Sequence, residues 1–165
     1  MIKKATKDPG ASGETVAISH VFDADRKRVF RAWTDPEQLA QWYAPDGCTI
    51  DFKSIDIGEG GSFHSCIHNP VHGDCWCKGH YLEITAPERL VFTMIITNEN
   101  GDDITPEAAG MAPGWPVMTT VTVSFEEQGN KTRILLRQTV QAELARKTGA
   151  LPSWILMFNR LNQLL

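Results

Sequence analysis

Between residues 48 and 140 the chain repeats one pattern six times: alternating apolar and polar residues, followed by residues that favour turns. Alternation with a period of two is typical of a strand with one buried face. Short turns between such runs favour antiparallel hairpins. The predicted strands cover residues 48–57, 62–68, 75–84, 89–97, 118–126 and 131–140.

Another strand and two short helices are predicted ahead of this repeat. Residues 15–22 alternate in the same way, and His20 shares their apolar face. Asp23 or Asp25 can cap a first helix, and Pro36 suits the first turn of a second. The apolar residues at helical spacing are Val29, Phe30 and Trp33, then Leu39 and Trp42.

The chain closes with an amphipathic helix after Gly149 and Pro152. Before it, residues 98–116 interrupt the strands with a loop long enough to suggest function or disorder. The predicted fold is therefore α+β, with a seven-stranded antiparallel sheet packed on a long C-terminal helix. The helix presents one apolar stripe, at i, i+4, i+7 and i+11, formed by Trp154, Phe158, Leu161 and Leu165.

The composition excludes several classes of protein. A chain of 165 residues suits one domain, here residues 15–165, after a polar lead-in over residues 1–14. A net charge of −4 argues against binding of nucleic acid. No apolar run reaches the roughly 18 residues of a membrane span, and the lead-in lacks the apolar stretch of a signal peptide. We therefore expect a cytoplasmic protein.

Two stretches resemble a known family. One is FDADRKRVFRAWTDPEQLAQWYAP, residues 22–45, and the other is YLEITAPERLVFTM, residues 81–94. Both are similar to segments of the family named after the activator of the ninety-kilodalton heat-shock protein's ATPase, within the START-like, or SRPBCC, superfamily. The resemblance covers residues 15–165. It implies the helix-grip fold, shared with a birch-pollen allergen, and a cavity between sheet and C-terminal helix that holds hydrophobic small molecules.

The stretch HSCIHNPVHGDCWCKGH, residues 64–80, differs from the family's usual hairpin. Pairing His68 with Cys75 would gather zinc-binding side chains on one face. That alternative set is His64, Cys66, His68, Cys75 and Cys77. The spacing lacks paired CxxC motifs, and free cysteine often packs as a small hydrophobe. We therefore expect reduced thiols, no metal and no other cofactor.

The same register places the remaining hairpin side chains on the concave face, where a pocket would lie. Ligand pockets are mostly apolar, with a few polar groups that orient the ligand. The aromatic residues are equally well explained as core, and a hydrogen-bonded core histidine is the ordinary explanation for the two histidines. The candidate ligand-binding residues are His20, Phe63, Trp76, His80, Met94, Trp115, Trp154 and Phe158.

The residue pattern and the resemblance to the superfamily together imply three candidate functions. The first is binding of a small hydrophobic or amphipathic molecule, with residues 98–116 as a lid. The second is a cyclase or lyase that uses His20 or His80 as general acid or base, although no residue is assigned as catalytic. The third, implied by the family name, is co-regulation of a chaperone ATPase, for which 165 residues leave little room for a further binding region. The sequence identifies neither the ligand nor the oligomeric state, and a homodimer is one option.

Overall fold

The computed structural model describes residues 14–165, so nearly all of the predicted lead-in, residues 1–14, lies outside the described residues. Seven strands form one antiparallel sheet in the order β1-β7-β6-β5-β4-β3-β2, which confirms the predicted sheet. The strands are β1 (Thr15–Phe22), β2 (Thr49–Ile55), β3 (Ser62–Asn69), β4 (Gly73–Thr85), β5 (Arg89–Thr97), β6 (Met118–Gln128) and β7 (Lys131–Gln141).

Four helices accompany the sheet: α1 (Arg26–Thr34), α2 (Pro36–Trp42), α3 (Ala142–Thr148) and α4 (Ala150–Leu164). Asp25 caps α1 by accepting a hydrogen bond from the Arg28 N–H at 2.9 Å. Asp35 caps α2 by accepting from the Glu37 N–H at 3.0 Å. Within residues 14–165, no helix combines the length and apolarity needed to cross a membrane.

The C-terminal helix differs in one respect from the prediction. A further helix, α3, precedes the predicted one, and Gly149, in the left-handed conformation with φ of 86°, separates α3 from α4. Glycine takes this conformation without the steric penalty that a Cβ would bring. Pro152 falls in the first turn of α4, where its missing N–H breaks no helical hydrogen bond.

The core lies between the helices and one face of the sheet, here called the concave face. Phe22, Val123 and Leu136 are fully buried on that face, and α4 contributes Trp154 and Phe158. The rings of Phe22 and Phe158 meet edge to face at 5.7 Å. Because α4 buries the predicted apolar stripe here, its position against the sheet follows from the sequence period.

A single side chain ties α4 to the end of α2. The Arg160 guanidinium donates to the carbonyl oxygens of Gln41, Ala44 and Cys48, with lengths of 3.1 Å to Gln41 and 3.2 Å to Cys48. These carbonyls belong to the end of α2 and the segment after it, where carbonyl groups have no helical N–H partner. A charged donor therefore satisfies several backbone acceptors at once.

The register of the β3–β4 hairpin corrects the prediction by one residue. His68 lies opposite Asp74, not Cys75, and Cys66 lies opposite Trp76. The turn sets this register: the Asn69 side chain accepts from two backbone N–H groups of the turn, and Gly73 takes φ of 89°. Because a one-residue slip moves a side chain to the other face, Cys75 and Cys77 move to the concave face.

The first part of the loop at residues 98–116 lies over the opposite, convex face. Lys78 forms an ion pair with Asp103 at 2.6 Å and donates to the Gly101 carbonyl at 3.0 Å. Further along, Trp115 packs partly buried against the core. The loop is thus bound to the sheet at its start and to the interior near its end.

Candidate functional site

A small apolar cavity lies beneath the concave face. Its volume is about 20 Å³, which is enough for roughly one water molecule. Helices α1 and α2 form one wall, and strands β2 to β5 form the other. The lining residues are Trp33, Leu39, Tyr43, Phe52, Phe63, Tyr81, Leu90 and Phe92.

Two hydrogen-bond donors in this lining have no partner. They are the indole Nε1–H of Trp33 and the hydroxyl of Tyr43, and they are the only such buried side-chain groups among residues 14–165. Their rings lie 6.2 Å apart, edge to face. The large majority of buried polar groups in proteins are hydrogen-bonded, so these two donors are exceptions, and both belong to residues that line the cavity.

The Tyr43 hydroxyl is held in its neutral form. Burial is the main cause that raises its pKa well above the usual value of 10.0, and the neighbouring Cys77 and Tyr81 add to the effect. A neutral phenol donates a hydrogen bond, whereas a phenolate would only accept one. The cavity therefore offers donors without a full charge.

Aromatic rings fill most of the concave surface beside the cavity. Phe63, Tyr81 and Phe92 lie with ring centroids 5.8 to 6.2 Å apart. The Phe63 ring covers Gly79, where an added Cβ would lie 1.8 Å from the Thr93 carbonyl oxygen and 2.7 Å from that ring. Only glycine fits this contact, so the size of the cavity is set by close packing of strands β3 to β5.

The other buried tryptophans contrast with Trp33. Trp42 donates its indole N–H to the Ala32 carbonyl at 2.9 Å. Trp154 donates to the Gln138 side chain at 2.9 Å, and Gln138 in turn donates to the Thr119 hydroxyl at 3.1 Å. Trp42 and Trp154 therefore have partners for their indole N–H groups, whereas Trp33 and Tyr43, which line the cavity, have none.

The predicted concave residues are divided between cavity and core. Phe63 lines the cavity. Trp154 and Phe158 are buried on α4, and Met94 and Trp115 pack partly buried against the same core. None of these last four is among the cavity-lining residues of the described chain.

The two predicted histidines lie on opposite faces of the sheet. The His20 ring packs 4.5 Å from the Phe22 ring and 5.8 Å from that of Phe158, and burial lowers its pKa. His80 is exposed on the convex face. Neither lines the cavity as the structure describes it, so their positions give no support to an acid–base role there.

The prediction that Trp76 and His80 share the concave face with Phe63 is wrong. The one-residue change in register puts both on the convex face, where the Trp76 ring lies 5.0 Å from that of His64. Lys53 completes this stack, with its Nζ 5.8 Å from the Trp76 ring centroid.

The loop at residues 98–116, predicted as a lid, borders a cleft that is distinct from the interior cavity. A cleft of about 860 Å³ opens at the end of the sheet, with Cys75 and Ile96 on one side and Met111 and Thr148 on the other. Residues 98–116 contribute to its wall but not to that of the interior cavity.

The convex face also carries part of the predicted metal set. His64, Cys66 and His68 lie there, whereas Cys75 and Cys77 project from the concave face, so the five-residue set is not assembled. His68 instead meets Asp51 and Asp74, at 2.8 and 2.9 Å. These two carboxylates raise its pKa by accepting hydrogen bonds, Asp74 most strongly.

Sequence reasoning placed Trp33 on a buried helical face but did not identify it, or Tyr43, as part of a site. A faint signal exists: Trp33, Trp42 and Tyr43 concentrate three hydrogen-bond donors within eleven residues of the chain. Buried tryptophan and tyrosine usually find partners for these groups. Which of the three would lack one depends on neighbours that only the fold reveals.

Comparison with known proteins gives one family. A model described as "Activator of Hsp90 ATPase homolog 1-like protein" matches residues 23–165. No curated protein matches the chain.

Solved structures share the fold at low sequence identity. A protein from Arthrobacter aurescens is 24% identical, with a TM-score of 0.76 over 88% of this chain and 82% of its own. A Mycobacterium smegmatis protein is 20% identical, with a TM-score of 0.77 over 92% and 90%. The AHSA1 protein from Silicibacter pomeroyi is 15% identical, with a TM-score of 0.71 over 91% and 96%.

Proposed function

Because the chain belongs to the family of Activator of Hsp90 ATPase homolog 1-like proteins, START-like domains that typically bind ligands, we propose that it binds a small hydrophobic or amphipathic molecule. The proposed site is the cavity between α1, α2 and strands β2 to β5. The observation that carries this proposal is the pair of unpartnered donors, Trp33 Nε1–H and Tyr43 O–H, beside an apolar space.

The lining determines the chemistry of the ligand. It contains no Lys, Arg or His, so a buried anion would lack a counter-charge and would be costly to desolvate. The ligand should instead be neutral, with an apolar body and an acceptor such as a carbonyl oxygen for the two donors. Ligand pockets commonly combine apolar walls, which give affinity, with a few polar groups, which orient the ligand.

Binding requires the cavity to widen. Its volume of about 20 Å³ is far below the roughly 300 to 1,000 Å³ of typical small-molecule sites. Trp33, Leu39 and Tyr43 all belong to α1, α2 or the residue that caps α2. A shift of this helical unit away from the sheet would therefore enlarge the space while keeping both donors in its wall.

The first experiment is native mass spectrometry of freshly purified protein, followed by extraction of any retained molecule. Binding is then measured by fluorescence titration with Nile red, a neutral dye that carries a carbonyl group. Trp33→Phe and Tyr43→Phe should each weaken binding about five- to tenfold, because each removes a hydrogen bond worth about 1 kcal/mol.

Trp76→Phe is the matched control, because it alters an aromatic residue on the convex face and should leave the dye affinity unchanged. Equal affinity in wild type, Trp33→Phe and Tyr43→Phe would refute the site. The chaperone role in the family description rests on the name alone, so it forms no part of the proposal.

A further inference from the structure

Three side chains on the convex face bring metal-binding atoms together. The Sγ of Cys66 lies 3.7 Å from the Nδ1 of His68, and an Asp74 carboxylate oxygen lies 2.9 Å from the same nitrogen. One donor atom from each residue falls within 4.8 Å of the other two. We call these three residues the convex cluster.

The backbone holds the convex cluster on two adjacent strands. Cys66 and His68 are two residues apart on β3, and Asp74 lies directly opposite His68 on β4. The turn between them is fixed by the Asn69 side chain, which accepts hydrogen bonds from the N–H groups of Val71 and His72. The donors therefore need little further ordering to meet one ion.

The distances suit a tetrahedral zinc ion. With Zn–S of about 2.3 Å and Zn–N or Zn–O of about 2.0 to 2.1 Å, ligand atoms in a tetrahedron lie about 3.3 to 3.6 Å apart. The observed separations of 3.7 and 2.9 Å from His68 Nδ1 bracket that range. The third separation, from the Cys66 Sγ to the Asp74 carboxylate oxygen, is within 4.8 Å.

A fourth residue occupies the place of an outer-shell partner. Asp51 lies 2.8 Å from the Nε2 of His68, on the far side of the ring from Cys66 and Asp74. Metal-bound histidines usually donate their second N–H to a carboxylate or carbonyl in this way, which fixes the tautomer and the orientation of the ring.

The charge around the cluster also favours a cation. Asp51 and Asp74 form ion pairs with His68 alone, and no Lys or Arg of residues 14–165 pairs with either. The lysines of this face are engaged elsewhere, Lys78 with Asp103 and Lys53 with the Glu99 carbonyl. A divalent ion would offset two of the three negative charges of the Asp51 and Asp74 carboxylates and the Cys66 thiolate.

We propose that Cys66, His68 and Asp74 bind a zinc ion on the convex face, with Asp51 as the outer-shell partner of His68. Thiolate, imidazole and carboxylate are the ligands that zinc prefers. The Asp74 side chain is 54% exposed and that of His68 is 39% exposed, so the fourth position is open to water. The site is separate from the interior cavity and does not depend on a ligand there.

The competing description is a surface imidazolium held between two carboxylates. That arrangement needs no metal and gives Cys66 no role, whereas zinc coordination requires the Cys66 thiolate. The involvement of the sulfur atom therefore distinguishes the two.

The test uses the full chain after treatment with EDTA. Calorimetric titration with Zn²⁺ should show one ion per chain, and Co²⁺ should give the charge-transfer absorption of a thiolate ligand. Cys66→Ala, His68→Gln and Asp74→Asn should each lower zinc affinity more than about tenfold, and Asp51→Asn about tenfold. Cys75→Ser is the matched thiol control, because Cys75 projects from the concave face, and it should bind as wild type does.

Circular dichroism of the metal-free variants checks folding, since Cys66 is only 1% exposed. If Cys66→Ala is unfolded, the thiolate band of Co²⁺-loaded Cys48→Ser/Cys75→Ser/Cys77→Ser identifies the ligand, because Cys66 is then the one cysteine left in the sequence. Absence of one-to-one uptake, or a cobalt spectrum without a thiolate band, would overturn the zinc site and leave the cavity proposal standing.

Discussion

Trp33 and Trp154 stack 6.3 Å apart in the same core, yet only Trp154 has a partner for its indole N–H. On the α4 side, Gln138 and Thr119 complete a chain of hydrogen bonds. On the α1–α2 side, Trp33 and Tyr43 meet an apolar cavity with nothing to accept from them. The α4 side thus satisfies its buried donors, whereas the cavity side leaves two of them without a partner, which is uncommon in native proteins.

The largest effect should come from the packed side. Phe158→Ala removes a ring that is 1% exposed, and it should lower the free energy of unfolding by about 3 to 5 kcal/mol. Urea denaturation measures the loss. Ile155→Ala, on the same helix but 46% exposed, should cost less than about 1 kcal/mol. Similar losses for the two variants would show that α4 does not bury the face described.

The second effect tests the satisfied hydrogen bonds. Gln138→Leu keeps the volume but leaves the Trp154 N–H and the Thr119 hydroxyl buried without a partner. The expected loss of stability is about 1 to 3 kcal/mol, measured by urea denaturation. Gln138→Leu should cost less in a Trp154→Phe background than in wild type, because that background has already lost the donor that Gln138 satisfies. An equal cost in the two backgrounds would mean that the hydrogen bond to Trp154 contributes nothing to stability.

The third prediction concerns the cavity side, where removal of a polar group should not lower the stability of the protein. In ligand-free protein, Tyr43→Phe removes a buried hydroxyl that has no partner, so stability should stay constant or rise by up to about 1 kcal/mol. The same substitution should weaken dye binding. A clear loss of stability in the absence of ligand would show that the hydroxyl is already satisfied, and the contrast between the two sides would disappear.

The smallest effect concerns pH. Burial lowers the pKa of His20, so the folded protein favours the neutral ring, and the unfolded chain binds the proton more tightly. Stability supplied by neutral His20 is therefore complete above about pH 6.5 and declines as the pH falls below that value. Because the ring is partly exposed, the loss should stay under about 1 kcal/mol. Urea midpoints over this range should fall less steeply for His20→Gln.

The fold could be predicted because strand and helix periods are local properties of the chain. The alternation within 131–140 and the helical stripe of Trp154 and Phe158 specify which side chains face the core before any neighbour is known. Family resemblance added how these elements pack together, as a helix-grip fold, and the structure confirms the seven-stranded antiparallel sheet with its C-terminal helix.

The site could not be predicted to the same depth. The turn at Asn69 and Gly73 determines which side chains of the β3–β4 hairpin lie on each face of the sheet. Because the predicted register was wrong by one residue, Trp76 lies on the convex face and Cys77 on the concave face, the reverse of the prediction. The missing partners of Trp33 and Tyr43 depend on distant strands. Such properties belong to the assembled structure, because no local pattern distinguishes a satisfied donor from an unsatisfied one.

The Arg160 guanidinium has a mechanical consequence for how the cavity opens. Its hydrogen bonds to the carbonyls of Gln41, Ala44 and Cys48 join α4 to the end of α2, directly beside Tyr43. If α2 swung outward alone, these charge-assisted bonds would break together. The widening proposed for the ligand cavity would therefore either break these bonds or require the buried stripe of α4 to move with α2.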